Sequence, residues 1–410
     1  MRTIIKSILL FSLAASALSA QENAHGSHRP APAARVEPTA IPEIRSLDIA
    51  VSGQTLHLLL GEFRPAESRT SLWHRRSDDG GLSWSPPARV DTGGPAPYGR
   101  GRGTDFQIVA VGENLTTVWL TDGPSRTKRG PLVCARSTDG GRTWQPAATP
   151  ANDGTDCDHA FIDLAATPDG AIHALWLDAR SGEGKGLISA RSRDFGATWS
   201  TNRIVDPKTC ECCWNILQAD QAGVLYGFYR DIDPRDMTVA LSGDGGTTWR
   251  SLPPGGAFHW DFKGCPHVGG ALAVQGSGAT ARLHTLVWTG VAGRSGLHYL
   301  TTSAPDFAWS APVRIGSDRA RYSDIAVTPS GVVAAAWIET TPEGETILRY
   351  QLSRDGGNHW LFAVAVPSAK NGPTHPRLAV IGERFHLFWS ATQAPDWHHI
   401  TLIGESTALP

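Results

Sequence analysis

The sequence predicts an all-β protein, a β-propeller of four-stranded blades, and three observations carry that expectation. Glycine and proline are abundant (44 and 28 of 410 residues) and spread along the chain, as in many short strands joined by tight turns. An octapeptide, Ser-x-Asp-x-Gly-x-x-Trp, recurs five times, at Ser77–Trp84, Ser137–Trp144, Ser192–Trp199, Ser242–Trp249 and Ser353–Trp360. Counting a degenerate copy at Thr302–Trp309, successive aspartates stand 49 to 62 residues apart, the length of one four-stranded blade.

Residues 1–20 read as an export signal. Arg2 and Lys6 precede the apolar run Ile8–Leu13, and the small residues of Ala14–Ala20 offer the cleavage zone. The run is shorter than the roughly 20 residues of a spanning helix. No later segment is apolar for long enough to cross a bilayer, so no membrane span is expected after cleavage and the mature chain is expected in the periplasm or outside the cell. Residues 21–43 are rich in Pro and Ala without apolar periodicity and read as a linker, with enough apolar character at Val36–Ile41 for one strand.

Over residues 44–410 one unit repeats: an alternating strand, a Gly-containing turn, a second apolar strand, a looser connection, a third strand, then the octapeptide. Units open near Arg45, Asp105, Phe161, Trp214, Val268 and Ser323, each with an octapeptide or its remnant. A seventh opens at Pro376 without one, and holds strands near Arg377–Val380, Arg384–Trp389 and His399–Ile403. Its missing fourth strand is assigned to Val36–Ile41, which would close the ring from both termini. Seven blades is therefore the expected count, with six as the alternative.

The octapeptide's residue types follow from turn chemistry. Asp and Ser side chains bond backbone amides within the turn, Gly permits positive φ, and Trp packs beneath the hairpin. The tryptophans outside it (Trp119, Trp176, Trp288, Trp337, Trp389) fall in second strands, where interblade packing is the expectation. A net charge of −2 and the lack of any basic run give no reason to expect nucleic acid.

From about Ile44 to His399 the octapeptides resemble the Asp boxes of the sialidase (neuraminidase) superfamily. The resemblance implies that the boxes serve folding, and that the site lies where loops lead into the inner strands. It implies roles residue by residue. Ile44-Arg45-Ser46-Leu47 stands where the family has Phe/Tyr-Arg-Ile-Pro, matching the Arg but not the Pro. Tyr229-Arg230-Asp231 and Arg294 stand where the second and third arginines fall. On this reading Arg45, Arg230 and Arg294 bind the carboxylate of a terminal sialic-acid-type sugar, a task suited to planar, always-charged forks. Arg321-Tyr322-Ser323-Asp324 matches the family's Tyr-Ser motif, which makes Tyr322 the nucleophile, and Glu211-Cys212 supplies its base, Glu211. The family's acid, an Asp, has no counterpart in Pro65-Ala66-Glu67-Ser68-Arg69-Thr70, which leaves Glu67 as the substitute. The implied function is an exported retaining exo-glycosidase acting on glycoconjugates. The alternative is a non-catalytic periplasmic propeller that binds a glycan, a protein partner or a soft metal at its rim.

Six cysteines in an exported chain make disulfides the expectation, with 15 pairings open to three bridges, for example Cys134 with Cys157 and one of Cys210, Cys212 and Cys213 with Cys265. No cofactor is otherwise expected. The lesser alternative is a Zn or Cu site drawn from Cys210, Cys212, Cys213, Cys265, His267 and His159, which propeller geometry brings to one rim.

Overall fold

Alternation of apolar and polar residues turns each repeat into an antiparallel sheet. The computed structural model describes residues 42–98, 106–123, 129–154, 158–180, 184–392 and 396–403. The segment expected as an export signal, the strand expected at Val36–Ile41, Cys157 and the expected start of the second unit at Asp105 lie outside them. The described residues form seven sheets, six of four strands and one of three, each ordered as in the chain.

The inner strands are Glu43–Ser52, Phe106–Val111, Ala160–Ala166, Ile216–Ala219, Ala271–Gln275, Ala320–Val327 and Pro373–Ile381, which number blades 1 to 7. Each touches the next, and the seventh touches the first. Seven blades are thus the outcome. Blade 7 contributes Pro373–Ile381, Arg384–Ala391 and Trp397–Ile403.

Burial explains the closure. One apolar cluster fills the interface between each pair of neighbouring blades, including the pair 7 and 1. Trp119, Trp176, Trp337 and Trp389 are among the largest fully buried side chains, and Trp288 is nearly so, all in second strands. Removing one such ring from a core costs about 3–5 kcal/mol.

The boxes do what their chemistry predicts. In the first, Ser77 Oγ donates to Asp79 Oδ1 (2.8 Å), and the same oxygen accepts from Ser83 N (2.9 Å). Gly81 N donates to Ser77 Oγ (2.8 Å) at φ +87°. The same bonds recur at Asp139, Asp194, Asp244 and Asp355. Hydrogen bonds from the Ser83 hydroxyl and amide hold the Asp79 carboxyl down at about 2. Each box also docks on the preceding blade. A Cβ at Gly141 would lie 2.1 Å from His74, and one at Gly357 would lie 2.0 Å from the Tyr299 hydroxyl. The degenerate copy lacks the Ser–Asp bonds but keeps the Trp contact, Trp309 Nε1 donating to Pro253 O (2.8 Å) as Trp199 does to Ala148 O (2.8 Å). It also keeps the closing bond of the hairpin, Ser310 N to Thr301 O (2.8 Å), as Ser200 N to Arg191 O (2.8 Å).

Candidate functional site at the channel mouth

Strand order separates the two ends of every blade. Boxes and the turns between first and second strands share one rim; loops leading into the inner strands share the other with the hairpins between second and third strands. Around the channel, where the inner strands begin, side chains of blades that are not neighbours also meet, as Trp214 of blade 4 and Tyr322 of blade 6 do.

Four inner strands open with a bulge: that of blade 1 has the single extra residue Arg45, and those of blades 3, 6 and 7 have a pair. The pairs are Phe161-Ile162, Tyr322-Ser323 and His375-Pro376, and the first residue of each is left-handed, at φ +54°, +50° and +45°. A bulky residue held there carries strain of about 1–3 kcal/mol, and such strain clusters at functional positions. A bulge also re-aims side chains. The Tyr322 ring lies 4.4 Å from that of His375 and stacks at 6.0 Å on Trp214, whose ring is 5.9 Å from His375. Trp214 precedes the inner strand of blade 4 and lies over Gly269 of blade 5, where a Cβ would come within 2.2 Å of the indole. Half-buried aromatic groups of blades 4, 6 and 7 therefore converge at the mouth.

Beneath them the channel wall is polar. Directly after the bulged pairs of blades 3, 6 and 7 stand Asp163, Asp324 and Arg377, with Asp48 and Gln107 at the matching positions of blades 1 and 2. Each aspartate accepts an amide from the next blade: Asp48 from Ile108 N (2.8 Å), Asp163 from Leu217 N (2.6 Å), Asp324 from Leu378 N (2.8 Å). Gln107 fits between two of them, its NH2 donating to Asp48 Oδ2 (2.8 Å) and Asp163 Oδ1 (3.2 Å). Arg377 Nε is 3.8 Å from Asp48 Oδ1. Burial pushes the Asp163 carboxyl up to about 8 and that of Asp48 up to about 6, and raises Asp324 as well.

The residues singled out by resemblance are placed as follows. Tyr322 is at the mouth. Arg45 leads into blade 1, its guanidinium 3.5 Å above the Phe63 ring and paired with Glu43 (3.2 Å). Arg294 is exposed, 4.3 Å above Phe258. Arg230 is only 2% exposed, and its guanidinium donates to the carbonyls of Arg235 (2.7 Å), Trp288 (2.8 Å) and Val268 (3.1 and 3.3 Å). To bind a sugar carboxylate it would have to abandon those buried carbonyls. Glu211 is exposed, and a Cβ at Gly184 of blade 3 would lie 2.7 Å from its carboxylate. Glu67 sits exposed at a hairpin tip of blade 1, 3.5 Å from Arg64.

The bridge expected between the triple cluster and Cys265 is not formed. Cys210 Sγ lies 3.8 Å from Cys212 Sγ and 3.5 Å from Cys213 Sγ, far beyond the ~2.05 Å of a disulfide. Cys134, Cys210, Cys212, Cys213 and Cys265 are all free thiols. Cys134 is buried in the core between blades 2 and 3, where burial pushes its thiol up. His159 stands with Asp153 (3.6 Å) and Asp178 (3.4 Å), where Arg180 already pairs with Asp178.

Sequence reasoning did not single out Asp48, Gln107 or Arg235. The first two had a signal, a polar residue before Ile or Leu in five inner strands: Asp48-Ile49, Gln107-Ile108, Asp163-Leu164, Asp324-Ile325 and Arg377-Leu378.

The profile of a family described as a BNR repeat-like domain matches residues 67–334. No curated protein matches the chain. Among solved structures, the chain is similar to a protein of unknown function from Dyadobacter fermentans, at 15% identity and a TM-score of 0.47, over 77% of this chain and 97% of that one. It is similar to a Hadza microbial sialidase at 16% identity and 0.49, over 82% and 73%. It is similar to Trypanosoma rangeli sialidase at 14% identity and 0.49, over 77% and 55%.

Proposed function

From the premise that the chain belongs to the family of BNR repeat-like domains, we propose that it is an exported, glycan-binding propeller whose site is the channel mouth, with a terminal sialic-acid-type sugar as its ligand. The observation that carries the reading is the convergence of Trp214, Tyr322 and His375 from three blades, two of them on left-handed backbone. Rigid aromatic faces cover the C–H face of a sugar at little entropic cost, while phenol and imidazole supply hydrogen bonds at its edge. Arg45, on the inner strand of neighbouring blade 1, is the arginine that the resemblance offers for a sugar carboxylate.

Hydrolysis asks for more. Retaining chemistry of the sialidase type would use the Tyr322 hydroxyl as nucleophile, a base for it, and an acid for the leaving oxygen. Glu211 over blade 3 and Glu67 on a hairpin tip are the acids suggested by resemblance, and Arg230 is engaged elsewhere. Recognition is thus the reading the geometry favours, and the assay decides catalysis.

The test pairs binding to immobilised glycans with turnover of a fluorogenic sialoside, for the wild type, Trp214→Ala and Tyr322→Phe. The expected result is binding that Trp214→Ala weakens at least ~10-fold, about 1.4 kcal/mol. Turnover lost in Tyr322→Phe would extend the reading to sialidase chemistry. A folded wild type that neither binds nor hydrolyses any terminal sugar overturns it.

A further inference from the structure

The segment Thr209-Cys210-Glu211-Cys212-Cys213-Trp214 joins the outer strand of blade 3 to the inner strand of blade 4. Its ends are fixed: Thr209 Oγ1 donates to Lys185 O (3.1 Å), Cys210 N to Arg230 O (3.1 Å), and Asn215 Nδ2 to Phe161 O (3.0 Å). Held this way, the three thiols point into one buried pocket, with every sulfur within 4.8 Å of the others. The separations of 3.5 and 3.8 Å from Cys210 have a chemical meaning. An ion that binds thiolates tetrahedrally at ~2.3 Å holds its sulfurs about 3.8 Å apart.

Three buried cysteines alone could be packing. A second segment argues otherwise. Cys212 also lies within 4.8 Å of Cys265 Sγ and a His267 ring nitrogen, both from the exposed stretch leading into blade 5, with His267 left-handed at φ +49°. That stretch is tied down from blade 4. The Asp236 carboxylate accepts from His259 N (2.7 Å) and Trp260 N (3.0 Å). Arg235 bridges the two segments, donating from Nε to Phe262 O (2.5 Å) and from Nη1 to Cys210 Sγ (3.1 Å). A guanidinium bonded to a sulfur is the outer-shell partner that a thiolate ligand requires, and it offsets the negative charge of a thiolate set.

We propose that this rim holds one thiophilic metal ion, Zn(II) or Cu(I), ligated by Cys210, Cys212 and Cys213, with His267 as the adjacent exchangeable donor and Arg235 as outer-shell support. Cys265, which stands beside Cys212 but not beside the other two sulfurs, closes in as the fourth ligand when the ion binds. Each thiol that binds gives up its proton to solvent, and no electron is transferred. Soft sulfur donors select these ions over Mg(II) or Ca(II). Because Trp214 follows Cys213, the ion also anchors the segment that carries Trp214 to the channel mouth. The site itself does not depend on what the mouth binds.

The test uses the full mature chain, purified reduced and metal-free, then loaded with Zn(II) or Cu(I) in separate arms, desalted and assayed for metal and free thiol. The expected result is one retained ion per chain, with the cluster thiols protected from alkylation. Co(II) in place of Zn(II) should give the intense visible absorption of a tetrahedral thiolate site. Competition between the arms shows which ion is preferred. Cys212→Ser, at the sulfur shared by both groups, should abolish retention. Cys265→Ser, at an exposed position that the fold does not need, should weaken affinity at least ~100-fold, whereas Cys134→Ser should bind as the wild type does. The proposal fails if wild type retains no more of either ion than Cys212→Ser. It also fails if mass spectrometry of untreated protein finds the cluster joined in disulfides without metal.

Discussion

Protonation of His74 should loosen the docking of a box on its neighbour. The residue is 1% exposed, between blade 1 and the second box. Its Nδ1 lies 3.1 Å from Gly141 O, so that nitrogen carries the proton, and its Nε2, 3.1 Å from His57 Nδ1, must be the acceptor. A second proton on His74 would set two N–H groups against each other. Burial above all, then the charge of His57, and Arg76 nearby, lower the imidazole from 6.5 to about 3; the Gly141 carbonyl and Asp139 act the other way. The unfolded chain therefore takes up the proton first. The contribution is complete above pH 6.5 and is lost as the pH falls toward 3. At pH 5 the loss is about 2 kcal/mol, from 1.36 × log[(1 + 10^1.5)/(1 + 10^−2)]. His74→Asn keeps a donor for Gly141 O but cannot titrate. It gives up the stacking on His57 and the edge contact with Trp144, about 2 kcal/mol at pH 8. Guanidinium titrations at pH 8, 6.5 and 5 should show that penalty shrinking by about 2 kcal/mol on acidification. A penalty that stays constant across the three would refute the reasoning.

Three further outcomes follow from the same structure. Arg230→Met should destabilise the fold by about 3 kcal/mol or more by leaving buried carbonyls unpaired, while Arg294→Ala, at an exposed site, should stay within ~0.5 kcal/mol; thermal midpoints check both. Gly141→Ala, forced to φ +84° with its Cβ against the His74 ring, should cost about 2 kcal/mol or more by the same measurement. Asp163→Asn removes a carboxyl raised from 3.8 to about 8, whose contribution is complete below pH 3.8 and lost as the pH rises through 8. Its midpoint relative to wild type should therefore be higher at pH 9 than at pH 5.

Most of the fold was legible because its determinants are local and repeated. Ser77, Asp79, Gly81 and Trp84 satisfy one another within eight residues, and the spacing of such units sets the length of a blade; the seventh, which has no box, was legible only from its three strands. The second-strand tryptophans were legible as interblade packing for the same reason. The site was legible only as a rim. That Trp214, Tyr322 and His375 meet depends on a bulge in blades 6 and 7 and on Gly269 admitting an indole, none of which a single strand's pattern reveals. Arg230 shows the opposite limit: a family position can be matched in sequence while its guanidinium is turned to the carbonyls of Arg235, Val268 and Trp288. The cysteines share a rim by sequence alone, but whether they pair or face a common centre depends on distances that Arg235 and Asp236, on the hairpin of blade 4, help to set.

The central claim is that function resides at the channel mouth and the boxes are scaffold. A crystal structure of the wild type soaked with a sialic-acid-terminated oligosaccharide tests this most directly. The account predicts the terminal ring in van der Waals contact with Trp214 and Tyr322, above Arg377 and the channel aspartates. A sugar seated against the Asp79, Asp139 or Asp244 boxes on the opposite rim, with the mouth unoccupied, would contradict it.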